Sequence, residues 1–157
     1  MPDFSKALFI GKKVEQLFYN RLLKKEKLPY LIEGSFKPFD IYTAGDHTRW
    51  EVKCDMKSNY TGNYLIEVQH YGKPSALMTT KAEYWVFYDS KMWVVAEPIK
   101  IKDLILKQGY KQIKTVGNGD EHHKLCYLIP KQDIIDISRW KLRVSDEEIL
   151  DPQGETE

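Results

Sequence analysis

Apolar positions recur with two different periods along the chain, and the switch between them marks out its elements. From Ser5 to Lys27, Leu8, Gly11, Glu15, Phe18 and Leu22 return at three- and four-residue steps, which predicts a helix with one buried face. Tyr30 to Ser35 reads as a short strand or a loop. From residue 37 the period drops to two: Phe39, Ile41 and Thr43 alternate with Asp40 and Tyr42, then Trp50 and Val52 alternate with Glu51 and Lys53. Gly45-Asp46 between them suits a type II′ hairpin turn. Polar residues 55 to 62 predict an exposed loop. Tyr64 to His70 alternates again as a third strand, with Tyr64, Ile66 and Val68 on one face and Leu65, Glu67 and Gln69 on the other.

Gly72 to Ser75 predicts the start of a short helical segment. Tyr84 to Tyr88 and Met92 to Ala96 are β-prone runs joined by a turn at Asp89-Ser90-Lys91. Pro98 to Gln108 reads as a helix with Ile101, Leu104 and Ile105 inward, ended by Gly109. Gly117 to Asp120 reads as a turn and Leu125 to Ile129 as a strand. Together these elements predict a single α/β domain with a central mixed β-sheet flanked by helices.

The hairpin carries the candidate chemistry. If it is symmetric about Gly45-Asp46, residue 43 faces 48 and Asp40 faces Glu51. Directly opposed Cβ atoms lie about 4.5–5.5 Å apart, and opposed like charges destabilise the pair. A divalent cation would offset two such carboxylates, and their hard oxygens suit Mg²⁺ or Mn²⁺. Glu15 interrupts the apolar stripe of the first helix, and a carboxylate there needs a partner. Two readings stay open for it: a third acid at the site, or a stripe-edge residue paired with Lys12 or Lys13.

Asp40 followed by Glu51-Val52-Lys53 on the next strand resembles the core of the PD-(D/E)XK nuclease superfamily, which includes Holliday-junction resolvases and many restriction endonucleases. Here the proline and aspartate read Pro38-Phe39-Asp40, with Phe39 intervening. The resemblance covers roughly residues 5 to 105 as a pattern of elements. It implies a restriction-endonuclease-like core and a Mg²⁺- or Mn²⁺-dependent phosphodiesterase acting on duplex or branched DNA. It implies metal ligation by Asp40, Glu51 and the Val52 carbonyl, with Glu15 completing the site from the first helix. It implies a catalytic lysine at Lys53. It also implies a polar helper on the third strand, Gln69 first and Glu67 second, although an ordinary edge-face polar residue reads equally well there. Within the family the short chain points to a structure-selective, junction-resolvase-like endonuclease of DNA recombination working as a homodimer. Exonuclease or restriction-type activity, and a nuclease fold kept as a non-catalytic DNA-binding or assembly subunit, remain as alternatives.

Charge distribution changes the picture of the partner. The net charge of the 157 residues is only +1, but all 24 Lys and Arg and 17 of the 23 acids precede Ser145. The body, residues 1–144, is therefore basic, and residues 145–157 form an acidic stretch expected to be a solvated, flexible tail. Lys12, Lys13, Lys24, Lys25, Lys57, Lys73 and Lys81 are the candidate phosphate contacts. Lys24 and Lys25 suit a helix C-terminus equally well. No apolar run approaches membrane-spanning length and no signal peptide opens the chain, so an intracellular rather than secreted protein is expected. Cys54 and Cys126 form neither a disulfide framework nor a zinc spacing. Glu121, His122, His123 and Cys126 are ligand-type residues whose spacing fits no zinc pattern and reads as a loop with surface histidines.

Overall fold

Side-chain alternation on one strand, Thr48–Cys54, divides the molecule into its layers. The computed structural model describes residues 4–34, 37–116 and 123–150. In chain order it contains α1 (Phe4–Lys24), β1 (Pro29–Leu31), β2 (Ile41–Thr43), β3 (Thr48–Cys54), α2 (Ser58–Thr61), β4 (Asn63–His70), β5 (Lys73–Pro74), β6 (Tyr84–Tyr88) and β7 (Met92–Ala96). There follow α3 (Pro98–Lys107), β8 (Lys111–Val116), β9 (His123–Pro130), α4 (Lys131–Ile137) and β10 (Trp140–Arg143). The chain is a single α/β domain with a mixed central sheet of order β1-β2-β3-β6-β7-β10. Only the β3–β6 pair is parallel.

Trp50 and Val52 of β3 point to one face of that sheet, where α1 lays Val14, Phe18 and Leu22 over Ile41, Val86, Tyr88, Trp93 and Val95. The four-residue steps of α1 make this one stripe, so the predicted helix forms, ending three residues early at Lys24. Its end is a Schellman motif: Lys27 N–H donates to Leu22 O at 3.1 Å and Glu26 N–H to Leu23 O at 3.0 Å. Glu26 takes the left-handed position, φ 57°, that glycine usually fills.

The opposite face, bearing Trp85, Phe87, Val94 and Ala96, packs against Tyr64, Ile66, Val68 and Ile129, with Ile101 from α3 and Ile134 from α4. Here the expectation of one central sheet needs correction. Tyr64 to His70 does form a strand with the predicted inward face, but it belongs to a second, antiparallel sheet of order β5-β4-β9-β8. Its partner β9 lies some sixty residues on, and the β3→β6 crossover delivers β4 to that layer. Residues 73 and 74 pair with β4 rather than starting a helix; the helical turn that follows is Ala76–Met78.

The hairpin register is as expected over Thr43↔Thr48, Tyr42↔Arg49 and Ile41↔Trp50, but the regular ladder stops there and does not include the expected Asp40–Glu51 pair. The turn is not type II′. Four residues, 44–47, close it, and the positive φ of 55° falls on His47 rather than on Gly45. Gly45 is needed for approach instead, since a Cβ there would sit 3.1 Å from the carbonyl oxygen of Lys27. At the β6–β7 turn, wholly buried Asp89 accepts the Lys91 and Met92 amides and the Lys131 ammonium, tying the turn to α4.

The flexible acidic tail expected from residue 145 is also corrected. Ser145 opens a capping box with Glu148, and Val144, Glu148 and Leu150 are buried. Glu148 receives Arg21 Nε and Nη2 at 3.0 and 2.8 Å and the Trp93 indole at 3.1 Å. Leu150 N–H donates to the Tyr88 hydroxyl at 3.0 Å. Residues 151–157 lie outside the described residues, as do the Gly117–Asp120 turn, Glu121 and His122.

Burial raises the Glu148 carboxyl, but Arg21, the Ser145 amide and Trp93 outweigh it and hold the pKa below its ordinary 4.5. Its stabilising contribution is therefore present above pH 4.5 and falls as pH drops through the folded value. Glu148→Gln is expected to cost about 1–2 kcal/mol at pH 7, because the part-buried Arg21 loses its counter-ion while keeping the Arg143 carbonyl. Urea denaturation of both proteins checks this, and the gap between them should narrow below pH 4.5.

Candidate active site

The site forms where β2 stops pairing. Ile41↔Trp50 is its last regular pair with β3. One residue earlier the Asp40 N–H turns to the Trp50 carbonyl at 2.9 Å, while the Asp40 carbonyl accepts Ile32 N–H at 2.9 Å. The side chain completes the junction: Asp40 Oδ2 accepts the Val52 N–H at 2.7 Å. With both main-chain groups and one carboxylate oxygen committed, Asp40 is fixed at the strand end and only 5% exposed. Its other oxygen faces Lys37 Nζ at 3.1 Å.

Lys37 joins two of the expected acids. Its ammonium also donates to Glu15 Oε1 at 2.7 Å, with side-chain exposures of 19% for Lys37 and 17% for Glu15. Glu15 therefore lies at the site, and its hydrogen-bonded partner is Lys37 rather than Lys12 or Lys13. Burial raises the Glu15 pKa, the Asp40 charge adds to this, and Lys37 and Lys12 pull against it. Lys37 is itself raised: burial opposes its charge, but Glu15 and Asp40 outweigh that. A hollow of about 150 Å³, lined by Lys12, Glu15, Gln16, Leu31, Glu33 and Lys37 among others, opens this end of the site to solvent.

Glu51 and Lys53 project from β3 on the face opposite Trp50 and Val52, beside Trp85 and Phe87 of β6. Glu51 Oε2 meets Lys53 Nζ at 3.1 Å, and Lys53 lies 4.9 Å from the centre of the Trp85 ring. Burial raises the Glu51 pKa; Lys53 and Lys37 lower it, and the Asp40 charge raises it further. Glu15 and Glu51 thus both feel the Asp40 charge. The Val52 side chain is in the core under α1, and its amide is held by Asp40.

The donor chemistry, three largely desolvated carboxylates, fits a hard divalent cation such as Mg²⁺ or Mn²⁺. Among the described residues, however, no group of three or more His, Cys, Asp or Glu side chains converges as a ready-made cage. Lys37 holds Glu15 and Asp40, and Lys53 holds Glu51.

The other expected residues are spread more widely. Gln69 pairs with Pro74 and Leu125 in the second sheet and lines a hollow with Gly72, Lys114, His123 and Lys124. Glu67 receives the Ser75 hydroxyl at 2.8 Å and faces Lys124 at 3.6 Å. Lys12 is on the rim of the Glu15 hollow, and Lys13 lies over the Phe9 ring at 4.7 Å. Lys24 is engaged with Glu147 at 2.8 Å. Lys25, Lys57, Lys73 and Lys81 are exposed. Burial pushes the Cys54 thiol up to about 12, which leaves little thiolate for nucleophilic chemistry at neutral pH. Cys126 is buried and His123 exposed, so they form no common ligand set. Lys37 is the member that sequence reasoning missed. Its only signal was a cation three residues before the aspartate.

Comparison with family models, curated proteins and solved structures found no match. No described helix is long and apolar enough to cross a membrane.

The Asp40 contacts set the cost of changing it. Asp40→Ala is expected to lose about 3 kcal/mol, by orphaning the buried Val52 amide and one side of Lys37. Asp40→Asn keeps an oxygen for Val52 and should lose less than half as much. Urea unfolding of the two variants measures the difference; equal losses would mean that the bond to Val52 does not hold the strand end.

Proposed function

We propose that this protein is a metal-dependent nuclease that hydrolyses DNA phosphodiester bonds, with a PD-(D/E)XK-type site and a restriction-endonuclease-like core. The observation that carries the reading is the Lys37 bridge that joins Glu15 of α1 to the buried Asp40, with Glu51 and Lys53 paired on the adjoining β3. Carboxylates perturbed by burial beside a specific charge partner cluster at functional sites, and Glu15 and Glu51 are both raised by burial and by the Asp40 charge. The order of α1, the antiparallel β1-β2-β3 ladder and a parallel β6 is compatible with such a core.

Asp40 and Glu51, with the Val52 carbonyl and Glu15 behind them, are the residues that would hold Mg²⁺ or Mn²⁺. A bound ion supplies Lewis acidity toward the phosphate and lowers the pKa of a coordinated water. Asp40 contributes by being immobile, since Val52 fixes its carboxylate. Lys53 is over a third exposed at its side chain and can reach a phosphate oxygen or orient an attacking water. Trp85 beneath it supports the ammonium and keeps that side of the site dry. Lys12, at the mouth of the hollow, is placed for a backbone phosphate. We further propose branched DNA as the preferred substrate and a homodimer as the working form, since the described elements are taken up by the two packed layers and none is set apart to read sequence.

One observation favours a second reading. Lys37 already pairs with both Glu15 and Asp40, as expected of a nuclease fold retained as a non-catalytic DNA-binding or assembly subunit. Cleavage assays decide between them. Linear duplex, single-stranded and four-way-junction DNA would be incubated with Mg²⁺, Mn²⁺ or EDTA. Metal-dependent cleavage, falling about 10²-fold or more in Glu51→Gln and Lys53→Met, is expected from the nuclease reading. DNA binding without cleavage on every substrate would establish the non-catalytic one.

A further inference from the structure

Lys37 is the least expected member of the site and the best placed to control it. Its ammonium lies between Glu15 Oε1 at 2.7 Å and Asp40 Oδ1 at 3.1 Å, the position a cation shared by those two acids would take. We propose that Lys37 is the resident cation of the site: its ammonium and a divalent metal ion compete for the Glu15–Asp40 pair, so that binding of one requires departure of the other. This rests on the metal-dependent reading above and adds a regulator of loading to it.

Three physical arguments carry the inference. The first is charge. Glu15 and Asp40 share a single ammonium at ion-pair distance, that of Lys37, while Lys12 acts on Glu15 without an ion-pair contact, so the directly paired set holds one more negative than positive charge. Exchanging the single charge of Lys37 for a dication closes that deficit. The second is mobility. Asp40 cannot move without breaking its bonds to Val52, Trp50 and Ile32, whereas lysine carries a point charge on a flexible four-carbon stem. The third is space. The hollow of about 150 Å³ lined in part by Glu15 and Lys37 gives the departing side chain somewhere to go and the ion a route inward.

The experiment is a calorimetric titration of the full chain with MnCl₂, without DNA, alongside Lys37→Met, Lys37→Arg and Glu51→Gln. If the lysine-closed form outnumbers the open one by about ten to one, Lys37→Met will bind Mn²⁺ about tenfold more tightly than the unaltered chain. Lys37→Arg keeps the competing charge and should bind no more tightly than the unaltered chain. A second readout needs no substitution and covers the case in which Lys37→Met does not fold. Acetylation of the unaltered chain by an amine-reactive ester, followed by peptide mass spectrometry, reports the exposure of Lys37. Lys37 should react slowly without metal and faster when Mn²⁺ is saturating, while exposed Lys57 stays constant.

If Mn²⁺ binds, and binding is lost in Glu51→Gln, yet Lys37→Met gains no affinity and Lys37 acetylation is unmoved, the competition is overturned and the metal site stands. If neither the unaltered chain nor Lys37→Met binds Mn²⁺, both fall together. Binding by Lys37→Met alone would support the competition in its strongest form.

Discussion

A single hydrogen bond, from the Val52 amide to Asp40 Oδ2 at 2.7 Å, organises the site. A strand end beside an unpaired amide ordinarily exposes that amide to water or leaves it unsatisfied. Here the side chain of the preceding strand supplies the acceptor, so β2 can leave the ladder after Ile41 while β3 continues to Cys54. The cost is a carboxylate held almost out of water. That cost draws in the rest: Lys37 must face it, Glu15 shares Lys37, and Glu51 on the other face of β3 is raised by it. Strand parity does the remainder. Trp50 and Val52 anchor β3 under α1, which forces Glu51 and Lys53 outward to the layer boundary where Trp85 lies.

What local periodicity governs was legible in the sequence. The α1 stripe, the alternation of β3, the β6–β7 hairpin and the hairpin register all follow from side-chain spacing within a few residues, and each appears where the spacing puts it. Glu15 was legible for the same reason, since a carboxylate on an apolar stripe has to be compensated. The turn type was not. Gly45 looked like a positive-φ residue, but the loop spends its positive φ on His47 and uses Gly45 to let the chain pass close to Lys27.

Non-local pairing hid the rest. β4 alternates as a half-buried strand whichever sheet it joins, and nothing within Asn63–His70 says that its partner is His123–Pro130. β8, Lys-Gln-Ile-Lys-Thr-Val, is too polar to read as a strand, because most of what holds it is one edge of β9. The C-terminal segment misled through composition. Three successive acids suggested a solvated run, yet Ser145 and Glu148 stand at capping-box spacing and Leu150 follows as an anchor. Lys37 was hidden because a lysine beside a proline looks like any surface cation until the fold turns it inward toward two acids.

The lysines bear directly on what the site is for. Holding three carboxylates in a poorly solvated corner against two ammoniums gains little stability, because desolvation consumes most of the attraction between the charges. Apolar residues of similar volume would serve a purely structural corner as well or better. A surface for docking nucleic acid has no use for partly buried acids either, since they repel phosphates. The arrangement makes physical sense if the acids have a further cation to receive and the lysines keep the fold intact until it comes. Lys53 and Lys37 then differ in kind. Lys53 is braced on Trp85, whereas Lys37 stands between the two acids, so on the proposed reading Lys53 would stay in place and Lys37 would yield.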